Sequence, residues 1–447
     1  MAQKLWEKTF NVNQLIEEFT VGKDRELDLY LAKYDVLGSL AHTQMLTKIG
    51  LLSKEDYSRI RTELQNIYQN IEQGNFTIEK GVEDIHSQVE LLLTKELGDI
   101  GKKIHSGRSR NDQVLLDIKL FTRAALREVV NNIEVLVTSL LKQSEKYKEY
   151  LMPGYTHLQI AMPSSFGLWF GAYAESLTDD LTFLQAAYNM ANRNPLGSAA
   201  GYGSSFPLDR EYTTQLLGFE GLNYNVVYAQ MSRGKLERNV CFSLASVATT
   251  LGKFAYDACL YNSQNFNFIT LPNECTTGSS IMPHKKNPDV FELIRAKANK
   301  LQGLPQQITG IISNLPSGYF RDLQEVKELF IPAFKEINEL LQVTNYIVER
   351  IEINKSILED PKYDLIFSVE KVNELVLKGV PFRDAYKEIG LQIEKGEFKA
   401  NKKVQHTHIG SIGNLANNEI YNLMKIRIED FNFKKVDEAY QLLLEKK

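Results

Sequence analysis

The sequence predicts an all-α protein organised on a long central helical bundle, and three observations predict it. From 108 to 152 there is neither glycine nor proline, and Val114, Ile118, Phe121, Ala125, Val129, Ile133, Leu136 and Leu140 form an apolar stripe near a heptad period. At 1.5 Å per residue such a helix runs roughly 60 Å, far beyond an ordinary globular helix. A later segment is apolar on several faces at once, with Phe242, Leu244, Ala245, Val247, Leu251, Phe254, Ala255, Cys259 and Leu260, so it is buried on most sides. Alternating strand patterns are scarce.

Taken in order, 1–107 reads as short helices. Leu37, Leu40, Ala41, Met45 and Leu46 fall at helical spacing before Gly50. Ser53 looks like the cap of a helix carrying Tyr57, Ile60, Leu64 and Ile67. Val89, Leu91, Leu92 and Leu93 mark a further helix that Gly98 closes. The region 108–359 holds the long helices: 108–152, ended by Pro153-Gly154; 164–194; 232–268; and one from Pro288 toward Glu349, interrupted near Gly303, Pro305 and Pro316. Helices this long need extended partners, and one chain supplies too few, so a homo-oligomer formed through the bundle is expected. The tail, 360–447, reads as shorter helices with turns at Gly379, Gly390, Gly396 and Gly410. No repeat or low-complexity segment is seen.

Composition excludes several classes. Of 447 residues, 43% are hydrophobic and 24% charged, as in a soluble globular protein. The net charge of -4 argues against a nucleic-acid-coating surface. The start lacks a hydrophobic leader core and no apolar run is long enough for a bilayer, so a cytoplasmic protein with no membrane or nucleic-acid partner is expected. Three scattered cysteines, Cys241, Cys259 and Cys275, fit a reducing compartment. No metal pattern emerges from the seven histidines; His406-Thr407-His408 reads as a polar turn.

Four polar segments lie beside helix ends. Gly107-Arg108-Ser109-Arg110-Asn111-Asp112-Gln113 opens the first long helix, where Arg, Ser and Asn can grip a carboxylate. Pro153-Gly154-Tyr155-Thr156-His157-Leu158-Gln159 is a turn with a histidine that can serve as acid, base or donor. Gly278-Ser279-Ser280-Ile281-Met282-Pro283-His284-Lys285-Lys286-Asn287-Pro288 is a cationic loop leading into a helix N-terminus. Gly318-Tyr319-Phe320-Arg321-Asp322-Leu323-Gln324-Glu325-Val326-Lys327 adds further cations and amides. Each alone reads more readily as a solvated turn. If the four meet, the pocket they form suits a small polycarboxylate, with no metal set and no Gly-rich phosphate loop. The matching chemistry is removal of a proton next to a carboxylate, whose aci-carboxylate product needs preorganised cations and donors.

The 278–288 loop resembles the signature loop of the aspartase/fumarase superfamily. Glu83-Asp84-Ile85-His86, the run from His105 to Gln113, Pro153 to Gln159, Lys285 to Asp289 and Asp322-Leu323-Gln324-Glu325 resemble in particular its argininosuccinate lyase family, as does Gly379-Val380-Pro381-Phe382-Arg383. The resemblance covers nearly the whole chain. It implies a three-domain lyase fold, a homotetramer with a twenty-helix core, and active sites shared among three subunits. It implies reversible elimination of argininosuccinate to L-arginine and fumarate, in arginine biosynthesis, without cofactor. Carried over by position, Ser279 would take the proton, Lys285 and Asn287 would hold the carboxylate, and Glu292 would orient Lys285. His157, beside the substrate-binding Thr156, would help protonate the leaving nitrogen. Ser109, Arg110 and Asn111 would bind the fumarate part, Tyr319, Gln324 and Lys327 the rest, and Asp84 the arginine-like end.

There are departures from the family pattern. Glu7-Lys8-Thr9-Phe10 replaces a Gly-Gly-Arg-Phe run, and Asp24 stands near a usual serine. His284 replaces glutamine, as in the adenylosuccinate branch, Arg321 replaces lysine, and Gly234 follows Arg233 where an acid is usual. The rival readings are an adenylosuccinate lyase and a non-catalytic crystallin-like relative.

Overall fold

The computed structural model describes residues 14–404 and 406–445. The Glu7-Lys8-Thr9-Phe10 run lies outside the described residues. Helices of eight or more residues are numbered in chain order. The N-terminal part carries α1 (Gln14–Val21), α2 (Ala32–Lys48), α3 (Lys54–Glu72) and α4 (Ile85–Leu97). The Ser53 hydroxyl accepts from the Asp56 N–H at 3.1 Å, the expected cap. Gly98, at φ 62°, ends α4 as its pattern predicts. Helix α2 is buried on nearly every side from Tyr34 to Thr43. Gly38 lets it approach the bundle: a β-carbon there would lie 2.6 Å from Leu116.

The bundle is α5 (Arg110–Lys146), α6 (Phe166–Ala191), α7 (Lys235–Asn262), α8 (Asp289–Gln302), α9 (Leu304–Ile312) and α10 (Val326–Val348). The 37 residues of α5 give a length of about 55 Å. Phe121 of α5 meets Phe330 and Phe334 of α10 edge-on, with centroids 6.4 and 5.5 Å apart. Trp169 of α6 stacks on Phe254 of α7 at 5.3 Å, and Phe254 meets Phe291 of α8 at 5.8 Å. The bundle is thus tied side to side by aromatic rings that each close large apolar areas.

Two expectations are corrected here. The first long helix stops at Lys146, before Met152, and the turn after it is a hairpin: β1 (Leu151–Thr156) pairs antiparallel with β2 (Gln159–Ser165). Pro153 and Pro163 face each other in its ladder, which masks the strand signal. In the tail, Gly390 is no turn but lies inside a helix. There α11 (Ser368–Leu377) and α12 (Phe382–Glu394) enclose a small core of Val372, Ala385 and Ile389. By contrast α13 (Asn417–Glu429) and α14 (Phe433–Leu444) add Ile420, Met424 and Leu443 to the main core.

Candidate active site

At the N-terminal end of α5 a cleft of about 440 Å³ opens between the N-terminal helices and the bundle. Its floor is set by how α5 starts. The Ser109 hydroxyl accepts from the Asn111 N–H, and the Asp112 carboxylate accepts from the Ser109 N–H at 2.8 Å, a capping box. Asp112 also takes the N–H groups of Gly197 and Ala199 at 3.0 and 2.9 Å. Burial pushes its carboxyl up to about 6 despite these donors. This cap turns Arg110 and Asn111 toward the cleft.

Seven of the sequence-predicted residues line this cleft: Asp84, Ser109, Arg110, Asn111, Tyr319, Gln324 and Lys327. Arg110 is ion-paired with Asp84 and, at 3.3 Å, with Glu83. Glu83 also holds Arg321 at 3.0 Å. Lys327 is buried between Asp24 and Asp28, at 2.6 and 2.8 Å. Burial alone would lower its ammonium, yet Asp28 and Asp24 beside it raise it on balance. Burial pushes Asp84 up, but His86 and Arg110 outweigh it and hold the carboxyl below its usual range. Gln324 donates to the carbonyls of Thr20 and Val21, and Arg233 lies over the Tyr319 ring at 5.9 Å. The cleft therefore alternates four acids (Asp24, Asp28, Glu83, Asp84) with four permanent or near-permanent cations (Arg110, Arg233, Arg321, Lys327). That lining suits a ligand carrying both signs of charge.

Among the departures, Asp24 and Arg321 are pocket residues. Gly234 is explained sterically. It sits at φ 77°, and a β-carbon there would meet Ile312 at 2.5 Å, so no acid fits. Asp28, Glu83, His86, His105, Val114 and Arg233 also line the cleft without having been named as site residues. Glu83 and His86 flank Asp84 in one short motif, and Arg233 precedes Gly234; Asp28 carries no local signal.

Six predicted residues are not in this cleft: Thr156, His157, Ser279, Lys285, Asn287 and Glu292. Thr156 and His157 end the exposed hairpin, where His157 and Leu158 have φ of 54° and 58°. Two left-handed residues make the tight loop, at a cost for non-glycine side chains of about 1 kcal/mol each. Tyr155 packs on Phe266 and Phe268, beyond the C-terminus of α7, whereas Arg233 precedes its N-terminus. The 28 residues of α7 put about 40 Å between them. The loop before α8 is at that far end too, since Phe291 meets Phe254. Its ends pair as Thr277–Gly278 with Lys286–Asn287. The Ser279 hydroxyl accepts from the Ile281 and Met282 N–H groups at 3.3 and 3.1 Å. Among the described residues Lys285 and Glu292 make no ion pair with each other, and both are exposed. One chain thus places the two halves of the predicted site at opposite ends of the bundle.

A family model described as "Lyase" matches residues 7–303. An argininosuccinate lyase of Bacteroides fragilis is 67% identical over 447 residues, covering 100% of both chains. That of Thermotoga neapolitana is 39% identical over 387 residues, covering 87% of this chain and 97% of its own. Among solved structures, EDDS lyase in complex with formate superposes with a TM-score of 0.78 at 20% identity, covering 97% of this chain and 95% of that one. Fumarate lyase:delta crystallin from Brucella melitensis bound to cobalt gives 0.72 at 17%, covering 95% of each. At such identities these structures speak for the fold alone.

Proposed function

This chain belongs to the argininosuccinate lyase family, and from that membership we infer that it splits argininosuccinate reversibly into L-arginine and fumarate. The substrate is a small molecule. It carries a cationic guanidino group, an amine and three carboxylates, and the cleft at the start of α5 offers acids and bases in equal number. That pairing of charges is the observation that carries the reading.

The elimination breaks the bond between a guanidino nitrogen and the succinyl carbon. A proton leaves the neighbouring carbon, and the nitrogen gains one as arginine departs. In our reading Ser279 removes the carbon-bound proton. Two backbone N–H groups already point at its oxygen, and they stabilise that oxygen when it loses its own proton. Lys285, oriented by Glu292, and Asn287 hold the carboxylate on which charge accumulates. His157 stands at the leaving nitrogen, with Thr156 beside it on the substrate. In the cleft, Ser109, Arg110 and Asn111 take the fumarate part, Tyr319, Gln324 and Lys327 the remainder, and Asp84 the arginine-like end. Arg110 must exchange part of its pairing with Glu83 and Asp84 for substrate carboxylate.

We further propose that the halves meet in a homotetramer whose sites draw on three subunits. The separation of about 40 Å along α7 supports this, since no loop movement bridges it. So do the exposed apolar side chains on the long helices, Phe183, Phe242, Tyr256, Leu293, Val343 and Tyr346. The division into 1–107, 108–359 and 360–447 and a cytoplasmic location belong to the same proposal; among the described residues no helix is long and apolar enough to cross a membrane.

The test is direct. Purified enzyme mixed with argininosuccinate raises the ultraviolet absorbance of fumarate, and adenylosuccinate leaves it flat. An unchanged trace with argininosuccinate overturns the assignment.

A further inference from the structure

Behind the cleft, three ionisable side chains from three helices meet in the interior. His86 of α4 holds Asp35 of α2 through Nδ1 at 2.6 Å, and Asp117 of α5 stands 3.6 Å from the same nitrogen. All three are at least nine-tenths buried. Among the described residues, neither oxygen of Asp117 and only one oxygen of Asp35 finds a hydrogen-bond partner. Their ligand atoms lie within 4.8 Å of one another, a spacing that a metal ion also uses. However, Nδ1 and Oδ1 at 2.6 Å are in hydrogen-bond contact, closer than two ligands on one ion sit. The cluster is built around a proton.

The other face of this cluster is the substrate cleft. His86 lines it, two residues from Asp84 in the first turn of α4. Asp84 caps that helix through the Ser87 N–H at 2.9 Å and holds Arg110 across the cleft. We propose that Asp35 keeps His86 as a fixed cation whose charge sets the Asp84–Arg110 arm for substrate. His86 is then a positioning residue, and Asp35 is the group that positions it. This rests on the lyase reading of the cleft and deepens it.

The charged groups around His86 agree with the proposal. Asp28, Asp35, Asp84 and Asp117 face it, with Arg108 and Lys327 behind them. Burial alone would strip the imidazole of its proton, yet Asp35 first, then Asp84 and Asp28, raise its value above the ordinary one. The imidazolium is therefore present through the ordinary histidine range and is lost only as pH rises through the raised value. Without Asp35 that loss moves to lower pH.

The experiment compares wild type, His86→Gln and Asp35→Asn as full-length assemblies, with kcat and KM for argininosuccinate taken separately from pH 6 to 9, on the order of the ordinary histidine range and above. His86→Gln raises KM about tenfold at every pH while kcat stays within about threefold. Asp35→Asn, which keeps the side-chain shape, raises KM most at alkaline pH and less at acid pH, where Asp84 and Asp28 still favour the ring's proton. If His86→Gln fails to fold, the pH dependence of Asp35→Asn alone decides. A wild-type KM in both variants with only a lowered thermal midpoint overturns the proposal, as does a pH-independent KM in Asp35→Asn. A wild-type enzyme without turnover overturns the lyase reading and this proposal with it.

Discussion

The two ends of the bundle treat their polar side chains in opposite ways. At the start of α5 the charges are drawn inward and paired, Arg110 with Asp84 and Lys327 with Asp24 and Asp28. At the far end, His157 and Lys285 stand exposed, and among the described residues Ser279 is held by the backbone of its own loop. Burial of a charge costs free energy unless a partner is supplied, so a chain pairs what it keeps. Among the described residues, His157 and Lys285 have no such partner on the hairpin tip and the exposed loop; water or a neighbouring copy can supply one. In our reading it is the cleft of a neighbouring copy.

Substitutions at the two ends break this contrast in different ways. The largest effect belongs to the far end. Ser279→Ala lowers kcat about 1,000-fold with sedimentation unchanged, because the loop has no structural duty in the core. Activity at the wild-type level would show that the base is elsewhere. In the cleft, Asn111→Leu lowers kcat/KM about 100-fold, since one donor to the fumarate part is gone. A change confined to the thermal midpoint would remove Asn111 from the site. Arg110→Met should also cost stability, about 3 kcal/mol, because Asp84 and Glu83 are left buried without it. Chemical denaturation reads this directly, and no comparable loss follows Lys285→Met at the exposed end.

The smallest effect is a pH dependence at the floor of the cleft. Asp112 ionises near 6 when folded, above its ordinary value, so its contribution to stability is full in acid and is lost as pH rises through that value. Asp112→Asn should flatten the decline between about pH 4 and 6 by about 2 kcal/mol. An unchanged decline would place its cause in another carboxyl.

Much of the fold was legible in the sequence because helices announce themselves at their ends. The run without glycine or proline marked α5, and Ser53 and Gly98 marked a start and a stop. The hairpin was hidden because its strands carry two prolines and its loop uses His157 and Leu158 where glycine or asparagine is usual. In the site, motif residues such as Arg110 could be named, but their partners could not. Asp35 and Asp117 sit in apolar helical runs and gain meaning only when α2, α4 and α5 pack together. A lone acid on an otherwise apolar helical face, as in Leu115-Leu116-Asp117-Ile118, is the signal that a buried partner exists. It says nothing of which residue that partner is.

The claim that one chain's cleft is completed by another's loop is tested most directly by mixing. Ser279→Ala and Asn111→Leu subunits are unfolded together, reassembled and assayed with argininosuccinate. Because each defect lies on a different contributor to a shared site, about a quarter of the sites in a random mixture draw both parts intact, and activity rises well above either parent. A mixture no more active than its parents would mean that cleft and loop serve the same chain.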